Sequence, residues 1–277
     1  MEALERRDVS FELDPNAVPR DWVGGDAFQT TFLSALSLLF PEGERFFVDS
    51  VKQVLPALDA PLAADVAAFI GQEAMHGREH KAFNGLVEAH GHASAPHVDA
   101  WLRRFLRRVR RVLSPRSQLA VTCALEHFTA MLAESLLADS RMRDDVHDGV
   151  RALWLWHALE EAEHKSVAFD VYRATGGGTV RRLALMLLTT AVFFAVQGGV
   201  HARLLHERGL LFRPWRWGRG IVRLWIYPGF LTRLVPAYLA YFRPGFHPSD
   251  RDTDALLAKW RTLLFGPAGS LSTLRAA

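Results

Sequence analysis

The sequence predicts an all-α protein, a four-helix bundle followed by a helical C-terminal extension. Three observations predict it. Apolar residues recur at three- and four-residue intervals over long runs, the spacing of one helix face. No run alternates apolar and polar for long enough to argue a sheet. Four successive helical runs also interrupt their apolar seams with chemically matched residues: an acid, an acid with a histidine, an acid, and an acid with a histidine.

Taken in order, residues 1–26 read as an irregular N-terminal arm with a short alternating run from Val9 to Leu13. Residues 27–178 read as the bundle. The first helical run, Phe28 to about Leu58, carries Leu33, Phe40, Phe47 and Val51, with Glu44 in the same register. Pro41 predicts a kink or short break there, because proline removes a donor and clashes with the preceding turn. Asp59 and Pro61 predict the second start, a capping acid before a helix-start proline. Its seam is Leu62, Val66, Phe69, Glu73, His76, His80, Phe83, Val87, ending near Gly91.

Trp101 to Arg111 is a basic amphipathic helix with Leu102, Leu106, Val109 and Leu113 on one side; Pro115 ends it. The third bundle helix runs from about Ser117 to Ala138, with Leu119, Cys123, Glu126, Ala130 and Ala133 on one face. A charged turn, Asp139 to Asp148, leads to the fourth, whose seam is Val150, Trp154, His157, Glu161, His164, Ala168 and Val171, ending near Ala174.

Residues 179–277 read as an apolar helical extension packing on the bundle or on a membrane surface. Leu183 to Val200 carries no charge and is near the lower length of a membrane span. Thr189, Thr190 and Gln197 interrupt it, which favours a helix covering the bundle. Trp215, Trp217 and Trp225 among Arg216, Arg219 and Arg223 fit an interfacial anchor. Gly229 to Phe242 reads as a further apolar helix, Phe246 to Asp250 as a turn, and Asp254 to Phe265 as a final amphipathic helix.

Composition narrows the function classes. Cys123 is the only cysteine, so no intramolecular disulfide can form and a reducing compartment fits. The first twenty residues lack the apolar core of a secretory signal, so the expected location is cytoplasmic, in association with the inner face of the membrane. The net charge of +3 is small and the arginines are local, with no recognition motif, so nucleic acid is not the expected partner.

Glu44, then Glu73 with His76, then Glu126, then Glu161 with His164 is the arrangement that four-helix bundles use for carboxylate-bridged dinuclear metal sites. At i and i+3 a carboxylate and an imidazole can reach one ion. Four buried glutamates need compensation, and Arg45, Lys81 and Lys165 sit off the seams, so two divalent ions are the expected source. Carboxylate and imidazole without thiolate suit iron or manganese, and zinc less often. His157 and His80, each four residues from a seam ligand, read as an extra ligand, an outer donor, or a core histidine. Glu160 lies near the same face but breaks the register that Glu161 keeps, and Glu42 is the weaker alternative to Glu44. Cys123, one turn before Glu126, reads as packing or an outer partner.

The stretches Pro41-Glu-Gly-Glu-Arg-Phe-Phe47, Gln72-Glu-Ala-Met-His-Gly-Arg-Glu-His80, His157 to His164 and Phe246-His-Pro248 resemble a bacterial family labelled "predicted metal-dependent hydrolase". The ligand pattern is similar to ferritin-like di-iron carboxylate proteins. The run His157-x-x-x-Glu161-x-x-His164 resembles the di-iron arylamine N-oxygenases, where a histidine supplements six ligands. By that resemblance the fold is a ferritin-like bundle and the ligands are Glu44, Glu73, His76, Glu126, His157, Glu161 and His164; His80 falls outside it. The activities to expect are an O2-dependent oxidase or oxygenase on a small or lipid-like substrate, served by an electron-donor protein, a metal-dependent hydrolase, or an iron-handling ferroxidase.

Overall fold

The computed structural model describes residues 4–273, and among them there is no strand, only an isolated bridge between Val23 and Val146. The long elements are α1 (Ala27–Lys52), α2 (Ala60–Ala89), α3 (Ala95–Val112) and α4 (Pro115–Ala138). A one-turn α5 (Ser140–Arg143) precedes α6 (Asp148–Glu163) and α7 (Val167–Ala174). Then come α8 (Thr179–Glu207), α9 (Gly218–Ile221), α10 (Val235–Ala240) and α11 (Asp254–Phe265). The protein is all-α.

α1 packs on α2, α4 packs on α6 and α7, and contacts from α1 to α4 and from α2 to α6 and α7 close the group of four. α3 lies against α1 and α2, and α8 against α1 and α4. Caps fix the starts: the Asp26 side chain accepts from Gln29 N, and that of Asp59 from Leu62 N. Gly77 lets α2 come close to α1, since a Cβ there would stand 3.4 Å from Glu44 Oε2 and 3.8 Å from Pro41 Cα.

Three expectations about helix boundaries need correction. α1 runs through Pro41 without a break. The carbonyl that Pro41 cannot serve is that of Ser37, and Asn84 Nδ2 on α2 donates to it at 3.3 Å. A side chain from the neighbouring helix thus replaces the lost backbone donor. The fourth bundle helix, by contrast, does break. α6 stops at its C-cap His164, whose carbonyl takes Val167 N at 2.9 Å in a tighter turn. Lys165 leaves the helix path there, with Nζ at 3.0 Å from Glu134 Oε1, 2.8 Å from the Arg251 carbonyl and 3.0 Å from Thr253 Oγ1. The helix expected over Gly229 to Phe242 shrinks to α10, because the backbone turns at Gly229 (φ 69°) and Pro236 fits only a helix start.

The N-terminal arm is not helical, yet it is part of the core: Arg7 is 5% exposed and Val9 is fully buried. Phe11 N donates to Glu79 Oε2 at 3.0 Å, which lays the arm along α2. At the other end, Trp260 Nε1 donates to the Leu137 carbonyl at 3.0 Å and seats α11 against α4.

Candidate metal centre

The seam residues of four helices converge on one buried volume. α1 brings Glu44, α2 brings Glu73 and His76, α4 brings Glu126, and α6 with its C-cap brings His157, Glu161 and His164, all between 0% and 4% exposed. Glu161 is central. Its Oε1 lies 3.0 Å from His157 Nε2, 3.3 Å from His76 Nδ1 and 3.6 Å from His164 Nε2. Glu44 Oε1 lies 3.7 Å from His157 Nε2, while His164 Nε2 lies 3.3 Å from Glu73 Oε1 and 3.5 Å from Glu126 Oε2. Ligand atoms of Glu44, His76, His157 and Glu161 lie within 4.8 Å of one another, and so do those of Glu73, Glu161 and His164. The two groups share Glu161.

Each histidine is aimed by the nitrogen that faces away from the cluster. His76 Nε2 meets Glu160 Oε2 at 3.0 Å, and Glu160 Oε1 accepts from Arg7 Nη1 at 3.1 Å. His164 Nδ1 meets Gln72 Oε1 at 2.9 Å. His157 Nδ1 meets His80 Nε2 at 2.5 Å, and His80 Nδ1 meets Ser37 Oγ at 2.8 Å, whose hydroxyl also reaches Asn84 Oδ1 at 2.8 Å. Outer partners of this kind fix the ring and its tautomer, so that the inner nitrogen can present a lone pair. His80 therefore stands behind His157, and Glu160 behind His76. Cys123 turns to the Ala168 carbonyl at 3.3 Å, and Glu42 is taken up by Arg103 at 3.1 Å.

The inner atoms lack hydrogen-bond partners. Both carboxylate oxygens of Glu44, Glu73 and Glu126, Oε2 of Glu161, Nδ1 of His76 and Nε2 of His164 are buried without one. Buried polar atoms are rarely left so, and each costs about 1–3 kcal/mol. Among the described residues, no Lys or Arg forms an ion pair with any of these four glutamates; Arg7 is drawn to Glu160 and Glu163 instead. A set of oxygens and imidazole nitrogens, unpaired and converging, fits a hard or borderline cation.

The electrostatics agree. Burial pushes the carboxyl of Glu44 well above the usual range, and Glu73 adds to it; Glu73 is raised by burial and Glu161, and Glu126 by burial and Glu73. Burial also opposes ionisation of Glu161, but His164, His157 and His76 outweigh it and hold this acid well below the usual range. Burial works against a charged His76 too, and Glu160, Glu161 and Glu73 overcome it, raising His76 well above an ordinary imidazole. His157 is lowered to about 4 by burial and His76, and His80 well below its usual value by burial and His157. Three acids that resist ionisation and one that cannot avoid it make a site short of positive charge.

A cavity of about 400 Å³ opens beside the cluster, between α1, α3, α4 and α8, and Glu44 forms part of its wall. The remaining lining is apolar apart from Arg108, Thr129 and Thr189. A smaller void, about 50 Å³, shares Leu36, Phe40, Thr129 and Leu132 with it and touches His157 and Glu161.

Sequence periodicity could not find Arg7, Gln72, Ser37 or Asn84. Arg7 sits in an aperiodic arm, and Gln72 and Glu160 precede the residues in register by one position. Their signal is the position itself, since the residue beside an inward acid on one helix can face the back of a ring on another.

No curated protein and no solved structure matched the chain in comparison. The family described as "Predicted metal-dependent hydrolase" matches residues 5–252, a span that includes Arg7, the whole cluster and α8. With that match across most of its length, and a buried His and Glu cluster that can hold a metal ion, the chain belongs to this predicted metal-dependent hydrolase family.

Proposed function

We infer that the protein is a di-iron carboxylate oxidoreductase that uses O2 on an apolar organic substrate. The observation that carries this reading is the pairing of the unpartnered carboxylate and imidazole atoms with an apolar cavity that reaches Glu44. Glu44, His76, His157 and Glu161 would hold one ion, and Glu73, Glu126, Glu161 and His164 the other, with Glu161 common to both. Iron suits this donor set best, manganese comes next, and zinc is a less frequent occupant. Bound iron would supply the redox chemistry toward O2 and the substrate.

The chain's own contribution is positioning. Glu160, held by Arg7, keeps His76 aimed inward, and Gln72 does the same for His164. His80 and Ser37 hold His157 from behind. The walls of Leu36, Phe40, Phe47 and Leu132 keep water away from Glu44 and Glu161 and leave room for an apolar group. The cavity offers only Arg108, Thr129 and Thr189 as further polar side chains, too few to steer the polar leaving group of a hydrolytic reaction.

Hydrolysis is the second reading, favoured by the family's description. Iron handling is a third, and the cavity weighs against it. Anaerobic loading with Fe(II) followed by O2 separates them. An optical transient on mixing is expected, with iron uptake that stops at the site. No transient, together with activity of a zinc-loaded protein on an ester or amide, would overturn the oxidoreductase reading; mineral growth on the protein would turn it into iron storage.

A further inference from the structure

α8 is apolar on both faces. Its inward face buries Met186, Val200, Leu204 and Leu205 and adds polar ties: Gln197 Nε2 donates to the Phe32 carbonyl at 2.9 Å, Arg182 Nη1 to the Tyr241 carbonyl at 2.7 Å, and His201 Nε2 lies 3.1 Å from Thr31 Oγ1. Its outward face is apolar, with Val180 83%, Leu187 58%, Leu188 56% and Phe194 47% exposed. Only 22% of its most apolar window is buried against the protein. A continuous apolar face of this kind calls for an apolar neighbour.

Charge identifies the neighbour. Across the cleft, Arg104, Arg107, Arg108 and Arg111 of α3 are exposed, and among the described residues none forms an ion pair. Arg103 and Arg110 of the same helix are paired, with Glu42 and with Asp49. One of these free arginines, Arg108, shares the cavity wall with Leu188 and Val192 of α8, and a basic helix beside an apolar one is the pattern of a surface that meets anionic lipid. The cavity opens in this same region: its wall includes exposed Val112 on α3 and exposed Leu188 and Val192 on α8, with Arg108 among them and Glu44 at depth. A ligand matched to it is a long apolar chain with one anionic head.

We propose that the cavity takes the acyl chain of an anionic lipid, head at Arg108 and tail toward Glu44, and that the outward face of α8 rests on the anionic bilayer supplying it. This names the substrate class for the oxidoreductase reading and rests on it for the reaction, though not for the binding. α8 lies along the bundle, so contact is in the plane of the surface.

The test uses the full chain as purified, and binding alone, so a failure here leaves the metal reading untouched and the converse holds. Saturated fatty acids from octanoate to stearate are titrated by calorimetry. Affinity should rise roughly fourfold per added methylene until the cavity is full, then level off. Gly43→Leu projects into that space, where its Cβ would meet no heavy atom within 4 Å, and should move the plateau to shorter chains. Arg108→Glu should weaken laurate about tenfold while leaving dodecanol unchanged. In flotation, the protein should rise with vesicles of phosphatidylglycerol and phosphatidylcholine but not of phosphatidylcholine alone, and Leu187→Glu with Leu188→Glu should abolish this. Circular dichroism checks that each variant is folded. No saturable binding at any chain length, or a plateau indifferent to Gly43→Leu, overturns the acyl-chain site. Binding of free acids without flotation on anionic vesicles overturns the membrane source.

Discussion

Oε2 of Glu160 lies 3.0 Å from Nε2 of His76, and this leaves Nδ1 as the nitrogen that His76 turns toward Glu73 and Glu161. Behind Glu160, Arg7 donates to it at 3.1 Å and to Glu163 at 2.7 and 3.0 Å. Its guanidinium is buried, and these two acids overcome that burial to raise its affinity for its proton. An arm far away in sequence therefore closes the back of the cluster.

Arg7→Ala removes the guanidinium from two buried carboxylates, leaving Glu160 with His76 and Glu163 with Arg261. Removing one partner of a buried ion pair costs about 3–5 kcal/mol. The expected result is a fall of that size in urea unfolding, with weaker metal retention. Arg7→Lys should recover only part, because one ammonium cannot reproduce the two-pronged contact with Glu163. A variant as stable as the parent would mean that the arm is peripheral.

Asn84 and Pro41 should be coupled. Asn84→Ala leaves the Ser37 carbonyl without the donor that Pro41 already denies it, at a cost of about 1–3 kcal/mol. Pro41→Ala restores a backbone N–H and should rescue the part of the loss that belongs to this carbonyl, though not the bond from Ser37 Oγ to Asn84. A double-mutant cycle would show the rescue as a favourable interaction. Strictly additive effects would contradict this account of how α1 passes through its proline.

Without metal, the stability that three acids of the cluster contribute should fall as pH rises. The carboxyls of Glu44, Glu73 and Glu126 are raised above their ordinary value of 4.5, chiefly by burial. In the unfolded chain they ionise near that value; in the fold they resist it. Their stabilising share is thus complete below 4.5 and is lost as pH rises through the raised values. Metal reverses the sign, since it binds the ionised acids. Thermal melts from acid to neutral pH, with and without metal, should diverge as pH rises, the metal-bound protein gaining on the metal-free one. Parallel slopes would count against a metal role for these acids.

His201 gives the opposite trend far from the cluster. Burial holds it at about 4, against an ordinary 6.5, and the Phe28 carbonyl only partly offsets this. The unfolded chain takes a proton as pH drops below 6.5 while the folded one stays neutral, so stability present above 6.5 is lost on the way to 4. The loss from this residue is about 3 kcal/mol. Hydrogen exchange should show α8 loosening over that range, less so in His201→Gln. Equal acid sensitivity in the two proteins would exclude His201 as the cause.

Much of this architecture was legible because burial and periodicity coincide. Glu44, Glu73, His76, Glu126, Glu161 and His164 stand out as polar breaks in apolar seams, and the fold gathers them for that reason. Of what supports them, His80 stands in its seam and the rest left no such mark. Arg7 has no periodicity, Gln72 and Glu160 sit beside the register, and the turn at His164 depends on Lys165 reaching Glu134 across the fold. The Leu183 to Val200 run reads from sequence as a helix covering the bundle. Which of its faces would be covered depends on where Phe32, Thr31 and Tyr241 end up in space.

The metal content of the protein purified from iron-fed cells tests the central claim most directly. Two irons per chain are expected in the parent, and at most one in Glu161→Ala with its circular dichroism unchanged, because Glu161 stands in both halves of the cluster. A folded parent that retains no metal, or a Glu161→Ala variant that keeps the full complement, would contradict it.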